Sequence, residues 1–425
     1  MICNNDENDI IRFRSAYSNR TSLNMNFDAL LKELINCNLG DWQEIMEVLR
    51  HAKSSVHAIF STDAIGAIEP YPATMTEHGL YVQPLFAGPK LFFWNDQTHD
   101  VNATTNVSFD KTLSIDSNVA QYIRAVMFGS DNNDLLSKVE QLKKAEVANQ
   151  SGIDWMPFLL ENLVHRPDGD QRVLETMAAI KSFDELSVAS LGLDPQVRRS
   201  LAKAKLQEAE SDLKALRDMP YINERQSEAI VARAILLKAF ELKLSKLTPQ
   251  AQLSELIDFQ LRELKTYGVL ELRVCWAFFC NRMPFFDPFK ETSTTWASKA
   301  KSMAWDLTFL RHLESLASEK GRGDYLLPSL ATADKRFGQM MVTVATTLSV
   351  FDRQKGRLRS FAPDEGIFEE VLSNACSSFA HREIAPLRKA QRRFEKNAIS
   401  VKALESICTQ LELQIKGLLG NKIVN

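Results

Sequence analysis

At 425 residues the chain exceeds what one core usually supports, so two or three domains, or one domain carrying a large insertion, are expected. Its 45% hydrophobic and 25% charged residues, with few Gly and Pro, make an ordinary globular composition that leans to helix. A formal net charge of −3 does not suggest a protein that holds nucleic acid by bulk charge alone; such binding would need a local basic surface.

The six cysteines, Cys3, Cys37, Cys275, Cys280, Cys376 and Cys408, include no CxxC pair. They read as free thiols packed as small hydrophobes, which suits a reducing cytoplasm. The first 26 residues lack an apolar stretch of signal-peptide length, and no run of about 18 apolar residues occurs, so no membrane span is expected.

In chain order, "FDALLKELINCNLGDWQEIMEVLR" has apolar residues at helical spacing broken at Gly40-Asp41, which predicts two short helices. "GLYVQPLFAGPKLFFW" (79–94) is aromatic and β-branched with Pro and Gly interruptions, and fits short strands or a hairpin. A polar loop closes this region at about residue 107. "KTLSIDSNVAQYIRAVMFG" then switches from a compact apolar strand to a helix, residues 131–149 are helical, and "DWMPFLLENLV" starts another helix with Pro157 in its first turn. From 172 to 280 almost everything reads as helix, with Leu201, Leu206, Leu213 and Leu216 on one broad face of a first hairpin arm. A helix over 296–318, the strand in "DYLLPSLATADKRFGQMM", and three further helices complete the chain. The regions so marked are 1–107, 108–170, 171–292, 293–350 and 351–425.

Three acids stand out by position. An apolar strand ends at Asp116, followed by Ser117, Asn118 and a helix. Another strand ends just before Thr332 and Asp334. Asp306 falls among Met303, Leu307, Leu310 and Leu313, the apolar stripe of its helix, where an uncompensated carboxylate would cost several kcal/mol. Taken singly, Asp116 and Asp334 could be N-caps, and Asp306 could pair with Lys299 or Arg311. Taken together, acids at the carboxyl ends of strands plus one on a packed helix are what a divalent-metal site needs.

"IDSNVAQYI", "MAWDLTFLRHLE" and "LATADKRF", in that order, resemble the motifs of the PIN-like nuclease superfamily. The resemblance implies an α/β fold with a PIN-like parallel sheet flanked by helices, interrupted here by a large all-helical insertion, because Asp116 and Asp334 are 218 positions apart. It implies a metal-dependent endoribonuclease in which Asp116, Asp306, Asp334 and a helical Glu hold Mg²⁺ or Mn²⁺. Glu161 is the first candidate for that Glu and Glu271 its rival. Thr332 and Ser117 would orient water or a carboxylate, and Asn118 would brace the first loop. The metal would acidify a water and stabilise charge on a phosphodiester.

Lys335 and Arg336, then Arg353, Lys355, Arg357 and Arg359, then Arg388, Lys389, Arg392, Arg393 and Lys396, could bring an RNA strand in; as single runs they could equally be solvated faces. The seven histidines show no HxxxH or HxH spacing for zinc, and no G-x-S-x-G, Walker loop or dinucleotide fingerprint occurs. The aromatics Trp276, Phe278, Phe279, Phe285, Phe286 and Phe289 read as core. The helical block could bind a regulatory partner or a second copy, and analogy suggests a toxin-like or phage-defence effector. The rival reading is a helical interaction or scaffold protein whose PIN-like core is catalytically silent.

Overall fold

The computed structural model describes residues 25–62, 68–76, 79–95, 108–165, 171–217, 219–290, 292–318, 325–390 and 399–423. Helices α1 (Phe27–Asn36) and α2 (Trp42–Leu49) come first, as the broken periodicity predicts. Asn26 and Asp41 cap them, their side chains accepting from the N–H groups of Ala29 and Gln43. Strands β1 (Val56–Thr62), β2 (Thr74–Met75), β3 (Tyr81–Pro84), β4 (Lys90–Trp94) and β5 (Phe109–Ile115) follow. After β5 come α3 (Ser117–Met127), α4 (Asn133–Asn149), β6 (Gly152–Asp154) and α5 (Met156–His165). The helical block consists of α6 (Gln171–Glu185), α7 (Pro195–Ala204), α8 (Leu206–Arg217), α9 (Pro220–Leu244), α10 (Pro249–Arg262) and α11 (Val269–Phe279). The chain ends with α12 (Trp296–Leu316), β7 (Tyr325–Thr332), α13 (Lys335–Thr343), β8 (Leu348–Asp352), β9 (Arg357–Phe361), α14 (Glu365–Ala375), α15 (Ser378–Ala390) and α16 (Val401–Ile423).

The strands form two sheets. In the five-stranded sheet the order is β2-β3-β7-β5-β6. Strands β7, β5 and β6 are parallel, with Ile115 beside Ala331 and Ser114 beside Asp154. The sheet is not all-parallel as expected: β3 runs antiparallel to β7 and β2 antiparallel to β3. A segment from the N-terminal region thus closes the edge that β7 would otherwise expose.

The second sheet, β4-β1-β8-β9, is antiparallel throughout. Two of its features depart from the sequence reading. Residues 79–94 do not make a hairpin, because β3 and β4 belong to different sheets; Gly88, at φ +105°, turns the chain between them. Residues 348–361 form a hairpin where only helices were expected. Asp352 closes its turn by accepting from the N–H groups of Gln354 and Lys355, and Gly356 supplies φ +61°.

One contiguous core joins the five-stranded sheet to the helical block, running from Leu113, Ile115 and Leu330 through Phe240 and Phe279. A smaller core lies between α1, α2 and the antiparallel sheet, around Phe60, Trp94 and Val350. Helix α9 is buried around most of its circumference and packs on α12 and α16, so its Ala-rich sequence, which shows no one-sided stripe, is that of an interior helix. Of the expected core aromatics, Phe278, Phe279, Phe285, Phe286 and Phe289 are buried, and Trp276 is half-buried against the core. Cys37, Cys275, Cys280, Cys376 and Cys408 are free thiols; Cys3 lies outside the described residues. No helix among the described residues is long and apolar enough to cross a membrane.

Candidate functional site

The parallel pairing of β5 with β7 brings Asp116 and Thr332 side by side at the carboxyl ends of the two strands. Asp116 caps α3: its Oδ1 accepts from the Val119 N–H at 2.8 Å, and its Oδ2 accepts from the Thr332 hydroxyl at 2.6 Å. The Thr332 oxygen in turn accepts from the Asp334 N–H at 2.9 Å. Asp334 caps α13, accepting from the N–H groups of Arg336 and Phe337, and pairs with the Arg336 guanidinium at 3.2 Å. A strand ending in a side chain that starts the next helix needs only local chemistry, and both junctions follow that rule.

Glu161 approaches from α5, held by a hydrogen bond from the Ser117 hydroxyl. Asn162 fixes that hydroxyl from behind, donating to it at 3.0 Å and to the Phe158 carbonyl at 2.8 Å. Asp306 approaches from α12, a helix buried on nearly every side rather than along one stripe. Its side chain keeps partial solvent access. Among the described residues it has no hydrogen-bond partner, and the attraction of Arg336 is outweighed by Asp334, Glu161 and Asp116.

The electrostatics follow from this crowding. Burial, then repulsion from the three other acids, lifts the Asp306 carboxyl well above the usual range. Burial raises Glu161 despite its bond to Ser117. Asp116 is pushed up to about 6 by burial, against the lowering effect of Thr332 and Val119 and with the help of Glu161 and Asp334. Asp334 goes the other way: burial would raise it, but Arg336 and the helix N–H groups hold it below the usual value. Four acids from four different elements therefore share one field. Among the described residues no three His, Cys, Asp or Glu side chains are gathered closely enough to hold an ion as they stand; Glu161 is turned to Ser117 and Asp334 to Arg336.

Other candidates lie elsewhere. Glu271 is buried in a bidentate pair with Arg311, with Nε to Oε1 at 2.8 Å, so neither is available to the acids. Asn118 does not brace the loop; it is exposed on the first turn of α3, and Asn162 does that work. Lys335 is exposed beside Asp334. Arg353, Lys355 and Arg357 are not near the acids. The Arg353 guanidinium lies 4.5 Å from the ring centre of Tyr325, the first residue of β7, whereas the acids stand at its last. That strand is about 23 Å long at 3.3 Å per residue, so the two groups cannot touch one phosphate. Arg357 pairs with Asp28, and Arg359 with Glu365. The side chains of the run from Arg388 to Lys396 fall outside the described residues.

Sequence reasoning missed a second polar chain. Asp154, at the end of β6, accepts from Ser114 at 2.5 Å and stands 2.8 Å from His312 Nε2. His312 Nδ1 is 2.5 Å from the Tyr221 hydroxyl. Its members lie on four elements with no common motif; the one local signal was an apolar-flanked His in α12. Comparison with family models, curated proteins and solved structures finds no match to this chain.

Proposed function

We propose that the chain is a metal-dependent endonuclease acting on RNA, its site formed by Asp116, Glu161, Asp306 and Asp334. The observation that carries this reading is Asp306: a carboxylate on a buried helix, in the repulsive field of three other acids and without a hydrogen-bond partner among the described residues. Like charges so placed raise one another's pKa, and a divalent cation is the economical way to relieve them. The donor set is all carboxylate oxygen, which fits Mg²⁺ or Mn²⁺ rather than zinc.

Asp116, Glu161, Asp306 and Asp334 would hold the ion. When bound, it would supply positive charge for the scissile phosphate and a water of lowered pKa. The chain's own part is positioning. Thr332 and the Val119 N–H fix both oxygens of Asp116, and Ser117, backed by Asn162, fixes Glu161. Arg336, already beside Asp334, is a cation that a strand's phosphate could meet there.

The test uses end-labelled single-stranded and structured RNA with Mg²⁺, Mn²⁺ or EDTA, comparing wild type with Asp116→Asn and Asp306→Asn, each confirmed as folded by circular dichroism. Metal-dependent cutting lost in both variants is the expected result. A second reading, a scaffold with a silent site, draws on the fact that Asp116 and Asp334 already serve as helix caps. It would be adopted if the wild type neither cuts RNA nor binds Mn²⁺.

A further inference from the structure

Asp154 accepts three hydrogen bonds, and each donor stands on a different element that carries an acid of the proposed site. Ser114 donates at 2.5 Å from β5, the strand that leads into Asp116. The Met156 N–H donates at 2.9 Å from the first turn of α5, the helix of Glu161. His312 Nε2 stands 2.8 Å away on α12, the helix of Asp306. The fourth acid needs no such tie, because β7, which leads to Asp334, pairs directly with β5 from Phe109 to Ile115.

The link is stiff and directional. Strands β5 and β6 are parallel with Ser114 beside Asp154, and Ser114 and Asp116, two residues apart on extended backbone, point to one face of the sheet. Against the opposing effect of burial, His312, Ser114 and the Met156 N–H hold the Asp154 carboxyl below the usual range, so it is ionised at neutral pH and can only accept. His312 Nε2 must then carry the hydrogen between them. The His312 side chain is 4% exposed, so water does not compete for that bond. Its Nδ1 is 2.5 Å from the Tyr221 hydroxyl on α9, and a ring tied at both nitrogens does not turn. Hydrogen bonds to an ionised acceptor are also roughly twice as strong as neutral ones. Such a tie has work to do here. Asp334, Glu161 and Asp116 all repel Asp306, and Glu161 and Asp306 approach on separate helices that like charge would push apart.

We propose that Asp154 and His312 are the positioning pair of the acid site: they join β5, α5 and α12 so that Asp116, Glu161 and Asp306 stand at the spacing one divalent cation requires, and they touch neither the ion nor the substrate. The assignment rests on the reading of the four acids as a metal site. It adds that the affinity of that site is set in part by two residues that supply it with no ligand, as outer partners do in metal sites generally.

The experiment is Mn²⁺ binding to the full chain, read from the electron paramagnetic resonance of the free ion, with each variant checked by circular dichroism. Wild type is compared with Asp154→Ala, His312→Phe, His312→Gln and Ser114→Ala, and with Val350→Ala in the smaller core as a control for lost stability alone. Asp154→Ala and His312→Phe are expected to weaken Mn²⁺ binding by about tenfold or more. His312→Gln, which restores a donor toward Asp154, should recover part of the loss, and Val350→Ala should bind as wild type does. Wild-type affinity in His312→Phe overturns the proposal and leaves the metal reading standing. An equal loss in Val350→Ala overturns it as well, since stability would then explain the effect. A wild type that binds no Mn²⁺ overturns the metal reading and this assignment with it. Should the larger changes fail to fold, Ser114→Ala decides: removing one of the three bonds should weaken binding measurably, and unchanged affinity overturns the proposal.

Discussion

A carboxyl group that folding moves into the field of three others is a stability liability as well as a chemical resource. Asp306 illustrates both. Its pKa is raised in the folded chain, so the folded state holds a proton where the unfolded state has released one. Stability attributable to the group is therefore lost progressively as pH rises from the ordinary Asp value, near 4, through the raised value of the folded state. Asp116 behaves likewise, with a window that closes at about 6. In EDTA, Asp306→Asn is expected to be more stable than wild type at pH 8 by about 1–4 kcal/mol, and by clearly less at pH 5. Thermal melts of the two proteins at both pH values measure this directly; a variant equally or less stable at pH 8 would mean that Asp306 is compensated. Manganese is expected to raise the wild-type melting temperature and to leave that of Asp306→Asn nearly unchanged, since binding to the folded state alone stabilises it.

Elements were legible where their causes are local. The helices that begin at Phe27, Ser117, Asn133, Pro195, Pro249 and Lys335 each follow a side chain that accepts from the first-turn N–H groups, and the sequence carries that residue in place. The junction acids were visible for the same reason. What escaped was long-range: Ser117 meets Glu161 across 44 positions and Asp154 meets His312 across 158, and no periodicity encodes such pairs. The hairpin escaped differently. "FDRQKGRLRSF" reads as a basic run because Arg357 and Arg359 are paired only after folding, with Asp28 and Glu365 from other elements. Two expectations belong to this scale. Arg311→Ala leaves Glu271 charged and buried in the wall of α11, and is expected to cost about 3–5 kcal/mol, whereas Arg311→Met with Glu271→Gln restores most of it; urea melts of the single and the double variant decide. In α13, a Cβ at Gly338 would stand 3.1 Å from ring atoms of Tyr81 on β3. Gly338→Ala should thus destabilise, although in an open helix the change gains about 1 kcal/mol. A melting temperature above wild type would show that the Tyr81 ring yields freely.

The molecule as a whole is interlocked in a way that its sequence regions do not suggest. Residues before 108 supply β3 to the five-stranded sheet, and β1 and β4 to the antiparallel one, where they pair with a hairpin from beyond residue 347. The acid site accordingly depends on chain far from its own motifs. Strand β7, which carries Thr332 and leads to Asp334, has β5 on one side and β3 on the other, with Thr332 beside Tyr81 and Ala331 beside Val82. Without β3, the backbone groups of β7 along Ser329 to Thr332 lose their partners on that side, and a buried strand becomes an open edge of the kind that recruits other chains. Strand β8, buried at all five positions, would lose β1 at the same time. A chain beginning at residue 108 retains every acid of the proposed site, yet it is expected to aggregate and to bind no Mn²⁺. Size-exclusion chromatography with manganese titration checks both. A monomeric fragment that binds the ion as the full chain does would show that the parallel strands and their helices stand alone, and that the N-terminal strands are a cover rather than part of the frame.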